Sequence, residues 1–243
     1  MKLLQKIILR VNDYKRKRKV KNNHQRDVSI KNAHYLHRTN HAGEYIEIDE
    51  IVKKFRESGG LKHDFQAYKL WHLKQLISNH KPNSILELGS GSSTVIFADY
   101  VRKNENRRLL SIDEDEKWVS NTKSLINYDK NDKIEVISAL KKFIGDSIPN
   151  EIKYDIKIEG NFDLVFIDGP SLEVNGEKKK DAVNTNVFEL QNYPEIIIVD
   201  VRKATAEYLS RRYQQKYKVW LSDLLSGKPV KENYNYFSIF TRK

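Results

Sequence analysis

Three aspartates in this 243-residue chain each close a short apolar run: Asp113 ends RLLSID, Asp168 ends FDLVFID and Asp200 ends EIIIVD. A carboxylate in such a place accepts hydrogen bonds from hydroxyls, takes a proton, or pairs with a cation. Runs this apolar suit strands buried on both faces of a parallel sheet, and in open α/β sheets ligands bind outside the carboxyl ends of the strands. Core packing does not call for three strands that each end in Asp. The three acids are therefore read as site residues.

A fourth run carries the turn that would complete such a site. Ser84 to Tyr100 reads SILELGSGSSTVIFADY: a buried strand, the small-residue turn Gly89-Ser90-Gly91-Ser92-Ser93, and the start of a helix at Thr94. Glycines let the backbone turn tightly and approach a ligand, and the following helix points its unpaired N–H groups into the same space. Asp113 follows Gly91 by 22 residues, the interval at which an acid accepts hydrogen bonds from ribose hydroxyls in dinucleotide-type sites. Glu114, Asp115 and Glu116 are read as the acidic start of the next helix. Lys133–Ser138 supplies another strand, and Tyr217–Ser222 with Tyr234–Thr241 forms a closing pair around the Ser226-Gly227-Lys228-Pro229 turn.

ELGSGSST, SIDEDEKWV, DLVFIDGP and IIIVD together resemble the class I S-adenosylmethionine-dependent methyltransferase superfamily, over about residues 82–243. LELGSGSST with IDGP is most similar to bacterial sugar and small-molecule O-methyltransferases. The resemblance implies a Rossmann-like α/β fold: a seven-stranded, mostly parallel sheet with a C-terminal antiparallel hairpin and helices on both faces. It implies that Glu87, Gly89, Ser90, Gly91, Ser93 and Thr94 line the cofactor, S-adenosylmethionine, that Asp113 binds its ribose, and that Asp168 sits beside the reacting methyl group. At the third strand end, where relatives often place an acid or amide for adenine, stands Ser138-Ala139-Leu140, so Ser138 is taken as the cofactor contact there, with backbone groups serving adenine. An NAD-binding domain would favour GxGxxG and lacks the closing hairpin.

Methyl transfer asks the protein to hold an acceptor oxygen in line with an already activated methyl group and to remove its proton. Asp168 is the first choice for that base or acceptor-orienting group and Asp200 the second. In catechol-type relatives these two acids plus a following Asn or Asp bind magnesium. Here Val201 follows Asp200; two carboxylates and waters could hold Mg²⁺, but no metal is the favoured expectation. Arg202 and Lys203 could pair with an anionic acceptor, or simply neutralise Asp200. Asp168-Gly169-Pro170 stands where enzymes that methylate base amines usually carry an Asp/Asn-Pro-Pro-aromatic motif. The absence of cysteine excludes disulfides, thiolate metal sites and a cysteine nucleophile.

The net charge of +11 is confined to one end, because residues 1–38 hold 12 lysines and arginines against Asp13 and Asp27. The rest is nearly neutral and shows no broad basic face. Within this extension (residues 1–40), Leu3, Leu4, Ile7, Ile8 and Val11 recur at helical spacing beside the cluster Lys15–Lys19. That pattern resembles an interfacial membrane helix, with residues 1–20 on an anionic surface as the preferred reading. Packing on the protein itself or a nucleic-acid arm are the others. No signal peptide or apolar run near 18 residues is seen, so the expected location is cytoplasmic, peripheral to the inner membrane face.

Residues 41–81 form a helical lead-in, with helices over Ile46–Glu57 and Asp64–Asn79 broken by Gly59-Gly60. Phe65, Leu70, Leu73, Leu76 and Ile77 make the apolar side of the second, and Trp71 joins the core. Gln66 and Lys69 could face the cofactor carboxylate, with a solvated face preferred. His63, His72 and His80 lack zinc spacing and are read as surface or packing. The polar stretch Ser171–Asn186, with Lys178-Lys179-Lys180, is long for a connection and reads equally as a mobile acceptor loop or a solvated one. The expected activity is methyl transfer to a hydroxyl of a sugar, a lipid-linked glycan or another small polar acceptor. The alternatives are an RNA methyltransferase using the basic arm and a cofactor-binding module without catalysis.

Overall fold

The computed structural model describes residues 22–60, 65–131, 133–145 and 148–243. The apolar stripe Leu3–Val11, the basic run Lys15–Lys19 and His63 lie outside these residues. In chain order, helix α1 (residues 22–40) leads into α2 (Tyr45–Glu57), α3 (Gln66–His80), β1 (Ser84–Leu88), α4 (Ser92–Arg102), β2 (Arg108–Asp113), α5 (Glu116–Leu125) and β3 (Ile134–Ser138). Then follow β4 (Lys141–Ile144), β5 (Glu151–Tyr154), β6 (Leu164–Ile167), the short β7 (Glu173–Val174), β8 (Glu177–Lys178) and β9 (Val183–Asn184). The chain ends with β10 (Ile196–Val199), α6 (Lys203–Tyr213), β11 (Tyr217–Trp220) and β12 (Ser238–Arg242).

Seven strands make the expected sheet, in the order β11-β12-β10-β6-β1-β2-β3. The five from β10 to β3 are parallel, and β12 pairs antiparallel with β10 and β11. Every residue of β1, β6 and β10 is buried, which is why these runs read as continuously apolar rather than alternating. Successive side chains still point to opposite faces. Ile85, Leu164, Phe166, Ile196 and Ile198 pack with α2, α3, α4 and α5 on one face. Leu86, Leu88, Val165, Ile167, Ile197 and Val199 pack with α6 on the other. Phe166 meets Phe97 and Phe237 edge-on at 5.6 and 5.7 Å, contacts that contribute about 0.5–1.5 kcal/mol each beyond burial.

The second face is not covered by helices alone. Between β3 and β6 the chain forms β4 and β5, which join β9 in a three-stranded sheet. Tyr154, Ile158 and Val187 from this region complete that core. The polar stretch 171–186 is thus a built element. Asn184 and Asn186 are fully buried. The Asn184 amide donates to the Gly169 carbonyl at 2.9 Å, and Asn186 exchanges hydrogen bonds with the Tyr154 backbone at 2.9 and 3.0 Å. Composition marks these amides as loop residues, whereas the fold uses them to satisfy backbone groups beneath a strand end.

Helix α1 packs onto the domain through Ile30, Ala33 and His37, all buried. The His34 ring meets the Tyr234 hydroxyl at 2.6 Å, and Val230 N donates to Ser29 Oγ at 3.0 Å. The closing strand begins only at Ser238, because Tyr234, Tyr236 and Phe237 are buried under α1 and α3 before it. Among the described residues no helix is long and apolar enough to cross a membrane.

Replacing Asn184 with Ala strands the buried Gly169 carbonyl. A buried group left without its partner costs about 1–3 kcal/mol. The urea midpoint of Asn184→Ala should fall accordingly, and an unchanged midpoint would show that the 171–186 segment does not anchor this strand end.

Candidate active site

The glycine turn is shaped by a backbone approach that tolerates no side chain. Gly89 has φ +102°, and a Cβ there would lie 2.6 Å from Gly169 N. A Cβ on Gly169 would lie 2.2 Å from the Tyr154 hydroxyl. The two strand ends therefore touch through their glycines. Behind the turn, Glu87 is fully buried and accepts hydrogen bonds from Ser93 Oγ (2.5 Å), Thr94 Oγ1 (2.6 Å) and Ser111 Oγ (2.6 Å). Thr94 Oγ1 in turn accepts from Gly91 N at 2.8 Å. The structure so places Glu87, Ser93 and Thr94 one layer behind the open face of the turn, where they fix its shape.

Asp113 stands at the rim of the turn, 8% exposed. One of its oxygens accepts from Ser90 N at 2.9 Å and the other from Asp115 N at 3.1 Å. A carboxylate has about four acceptor positions, so ribose hydroxyls still find acceptors there. Burial pushes its pKa up to about 6, opposed by these backbone donors. Ser138 is level with Asp113 across the β2–β3 ladder and exposed, as is Leu140 beyond it. Gly91 is covered by Phe55 of α2 and Trp118 of α5, whose rings meet edge-on at 5.4 Å. Trp118 also donates to the Ser90 carbonyl at 2.9 Å. These residues, the Gly89 cradle and the first turn of α4 suit an adenosyl cofactor. Of the acidic run that follows, Asp115 caps α5 as expected. Glu114 instead accepts from Ser171 N at 2.8 Å and the Tyr154 hydroxyl at 3.2 Å.

Asp168 and Asp200 are brought together by register. Ile167 pairs with Val199 and both face the α6 side. The next residue on each strand therefore turns to the opposite face, toward α3. There the ammonium of Lys69 lies between the two carboxylates, at 2.7 Å from Asp168 Oδ2 and 2.5 Å from Asp200 Oδ2. Lys69 is buried, as is Gln66, which donates to Ser92 Oγ at the head of α4. The solvated face expected for Gln66 and Lys69 is thus an interior one.

The pair is electrostatically unequal. Burial disfavours the charge on Asp168, but Lys69 and Arg202 outweigh it and hold its pKa below the ordinary value. Burial and then the neighbouring Asp168 push Asp200 up to about 7, against the pull of Lys69. Burial opposes the charge on Lys69 too, yet the two carboxylates raise its pKa above that of a free lysine. The side chain of Asp168 is 36% exposed and that of Asp200 10%. Asp200 Oδ1 is buried and has no hydrogen-bond partner. The next residue, Val201, has φ +40°, a left-handed conformation costly for a β-branched side chain, by about 1–3 kcal/mol.

The donor set does not suit magnesium. A buried ammonium already fills the space between the carboxylates, and among the described residues no group of three or more His, Cys, Asp or Glu could hold a metal ion. Arg202 and Lys203 do not join the pair. Arg202 turns back to the Asp168 and Pro170 carbonyls, and Lys203 is exposed on α6, 3.7 Å from Glu207. His72 is packing: its Nδ1 accepts from Tyr236 N at 3.4 Å, and burial lowers its pKa to about 4.

Residues 86–185 match a protein-family profile described as a methyltransferase domain. The matched stretch is a methyltransferase domain, and it carries the glycine turn, Asp113 and Asp168. Its fold is shared with an SAH-bound methyltransferase from Podospora anserina, at a TM-score of 0.51 and 14% identity over 80% of this chain and 88% of that one. An O-methyltransferase from Bacillus cereus in complex with SAH is similar at a TM-score of 0.51 and 18% identity, over 81% and 90% of the two chains. No curated protein sequence matches the methyltransferase. Of its site residues, Lys69 is the one that residue pattern alone hides, because a lysine on a helix ordinarily faces water.

Burial raises the pKa of Glu87 from 4.5 to about 7. Between these values the unfolded chain has released the proton and the folded protein keeps it, so this contribution to stability is present below about 4.5 and lost as pH rises through 7. Glu87→Gln should flatten the decline in unfolding free energy from pH 5 to 7.5 by about 2.4 kcal/mol, one pKa unit being about 1.36 kcal/mol. Urea titrations at the two pH values measure it, and an unaltered slope would mean that Glu87 is ionised in the fold.

Proposed function

We propose that this methyltransferase moves a methyl group onto the hydroxyl oxygen of a small acceptor, with Asp200 as the base that removes the hydroxyl proton. The observation that carries the reading is the place of Asp200, a strand-end carboxylate held by Lys69 that lines a cavity of about 330 Å³ and has its pKa raised to about 7. A base poised near the working pH combines an available ionised form with a useful driving force, and such a group contributes about 10²–10⁴-fold. S-adenosylmethionine, held at the Gly89–Gly91 turn and Asp113, supplies the methyl group from its sulfonium and is left as the thioether.

Asp168, kept ionised by Lys69 and Arg202, is the group that fixes the ammonium. Lys69 then holds Asp200 by Oδ2 and fixes its orientation at the strand end. This reverses the order in which sequence ranked the two acids. When the acceptor proton reaches Asp200, the cluster goes from one net negative charge to neutrality, which a water-poor interior favours. A sugar or glycan hydroxyl, the acceptor expected from the resemblance, and other small hydroxyl compounds share this chemistry. Two proteins with this fold hold SAH, one of them an O-methyltransferase, which supports the cofactor and the oxygen acceptor.

Transfer of labelled methyl from S-adenosylmethionine into fractionated cell extract tests the reading. Label should enter small hydroxyl compounds or glycans, be lowered about 10²–10⁴-fold in Asp200→Asn, and leave cofactor affinity unchanged. The rate should climb as pH rises through about 7, where Asp200 ionises. Excess EDTA should not alter it, since Lys69 supplies the cation. Label in RNA, or full activity in Asp200→Asn, would overturn the assignment.

A further inference from the structure

We propose that the cavity beside Asp200 is the acceptor subsite, and that it is built for a flat, largely apolar ring carrying a single hydroxyl rather than for a polyol. The inference rests on the methyl-transfer reading above. The cavity has a volume of about 330 Å³, and Asp200 and Val201 line it where they emerge from β10. Ile30, Phe65 and Leu224 supply apolar walls together with the ring of Tyr236. An apolar cavity of about 150 Å³ accommodates benzene, so this space suits one ring with substituents or two fused rings.

The polar groups sit at opposite ends. Arg26 and Asp27 pair with each other on α1, with side chains 33% and 56% exposed, and mark the open end. The Asp200 side chain, 10% exposed, lines the other end, its carboxylate supplying the acceptor. Tyr236 lies close enough to Asp200 and Lys69 for both to influence its ionisation, and burial first, then Asp200, keeps its hydroxyl protonated. One acceptor and one donor are what a single hydroxyl requires. A pyranose would bring further hydroxyls against Ile30, Phe65 and Leu224, and each one buried without a partner lowers affinity by about tenfold. With an ammonium instead of a divalent ion between the carboxylates, nothing rewards a second adjacent hydroxyl either. The outer wall comes from α1, so a helix preceding the matched residues 86–185 takes part in choosing the acceptor.

The test uses the full-length protein with labelled S-adenosylmethionine and three probes of defined chemistry: 2-naphthol, catechol and methyl α-glucoside. The structure predicts kcat/KM for 2-naphthol about 100-fold or more above that for methyl α-glucoside, each stranded hydroxyl counting about tenfold, and no advantage for catechol. Calorimetric titration of 2-naphthol in the presence of SAH gives a readout independent of turnover. Leu224→Trp, which fills the cavity from a partly exposed position, should weaken that binding about tenfold or more, with an unchanged melting temperature showing that the variant folds. Asp200→Asn should still bind 2-naphthol but methylate it about 10²–10⁴-fold more slowly. Methyl α-glucoside as the better acceptor, or 2-naphthol binding unaffected by Leu224→Trp, would overturn the subsite while extract labelling leaves the methyltransferase reading intact. Absence of transfer to every probe and every extract fraction, with cofactor bound, would overturn both.

Discussion

Everything at the carboxyl edge of the sheet is organised by one buried ammonium. Register places Asp168 and Asp200 side by side on adjacent parallel strands, facing the same layer. Two carboxylates so placed cannot both stay ionised without a cation, and Lys69 of α3 provides it at 2.5–2.7 Å. Burying three charged groups costs several kcal/mol per ion, and removing one partner of such a cluster leaves an uncompensated charge. The cluster therefore fixes α3 against the ends of β6 and β10. In doing so it also sets where the helices before α3 stand relative to the strands that carry the chemistry.

The site separates its acids by environment. Glu87, Asp113, Asp168 and Asp200 occupy four neighbouring strand ends, but each meets different partners. Glu87 is held by three hydroxyls and shapes the turn. Asp113 receives backbone N–H groups and keeps acceptor capacity at the rim. Asp168 answers a cation, and Asp200 is left with one oxygen unclaimed. Burial and then Asp168 raise the pKa of Asp200 to about 7, while Lys69 and Arg202, against burial, lower that of Asp168. Pairs pushed apart in this way are how one site assigns a permanent charge and a proton acceptor to chemically identical groups.

What sequence could show follows from this arrangement. The strand-end aspartates and the GSGSS turn were legible because they are punctuation: each interrupts an apolar run at a fixed place relative to the sheet. Lys69 was not, because periodicity sorts residues into apolar and polar and reads polar as wet. In α3 the buried residues include Gln66 and Lys69 as well as Leu70, Leu73 and Ile77, so the helix has two buried sides, one toward the core and one toward the carboxylates. Asn184 and Asn186 were hidden for the same reason, since buried amides that satisfy backbone look like loop composition. The β4–β5–β9 sheet lacks the length and alternation that would announce strands. Tyr234 and Tyr236 read as strand residues, but α1 and α3 claim them for packing.

On the proposed reading, the cofactor turn and the acceptor cavity are built from different parts of the chain. The turn, Glu87, Asp113 and Asp168 all lie within residues 86–185, where each is constrained by contact with the others: Gly89 against Gly169, Glu87 against Ser111, Ser90 against Asp113. The cavity beside Asp200 is assembled from outside that stretch, by Ile30, Phe65, Leu224 and Tyr236. Substitutions on those walls alter volume and polarity without touching the hydrogen bonds that shape the turn. Val201, which also lines the cavity, is held at φ +40° directly after Asp200. A left-handed valine persists only where its surroundings over-determine it. Val201 is thus at once cavity wall and the residue that sets the direction of Asp200, so reshaping the wall at this point also re-aims that carboxylate.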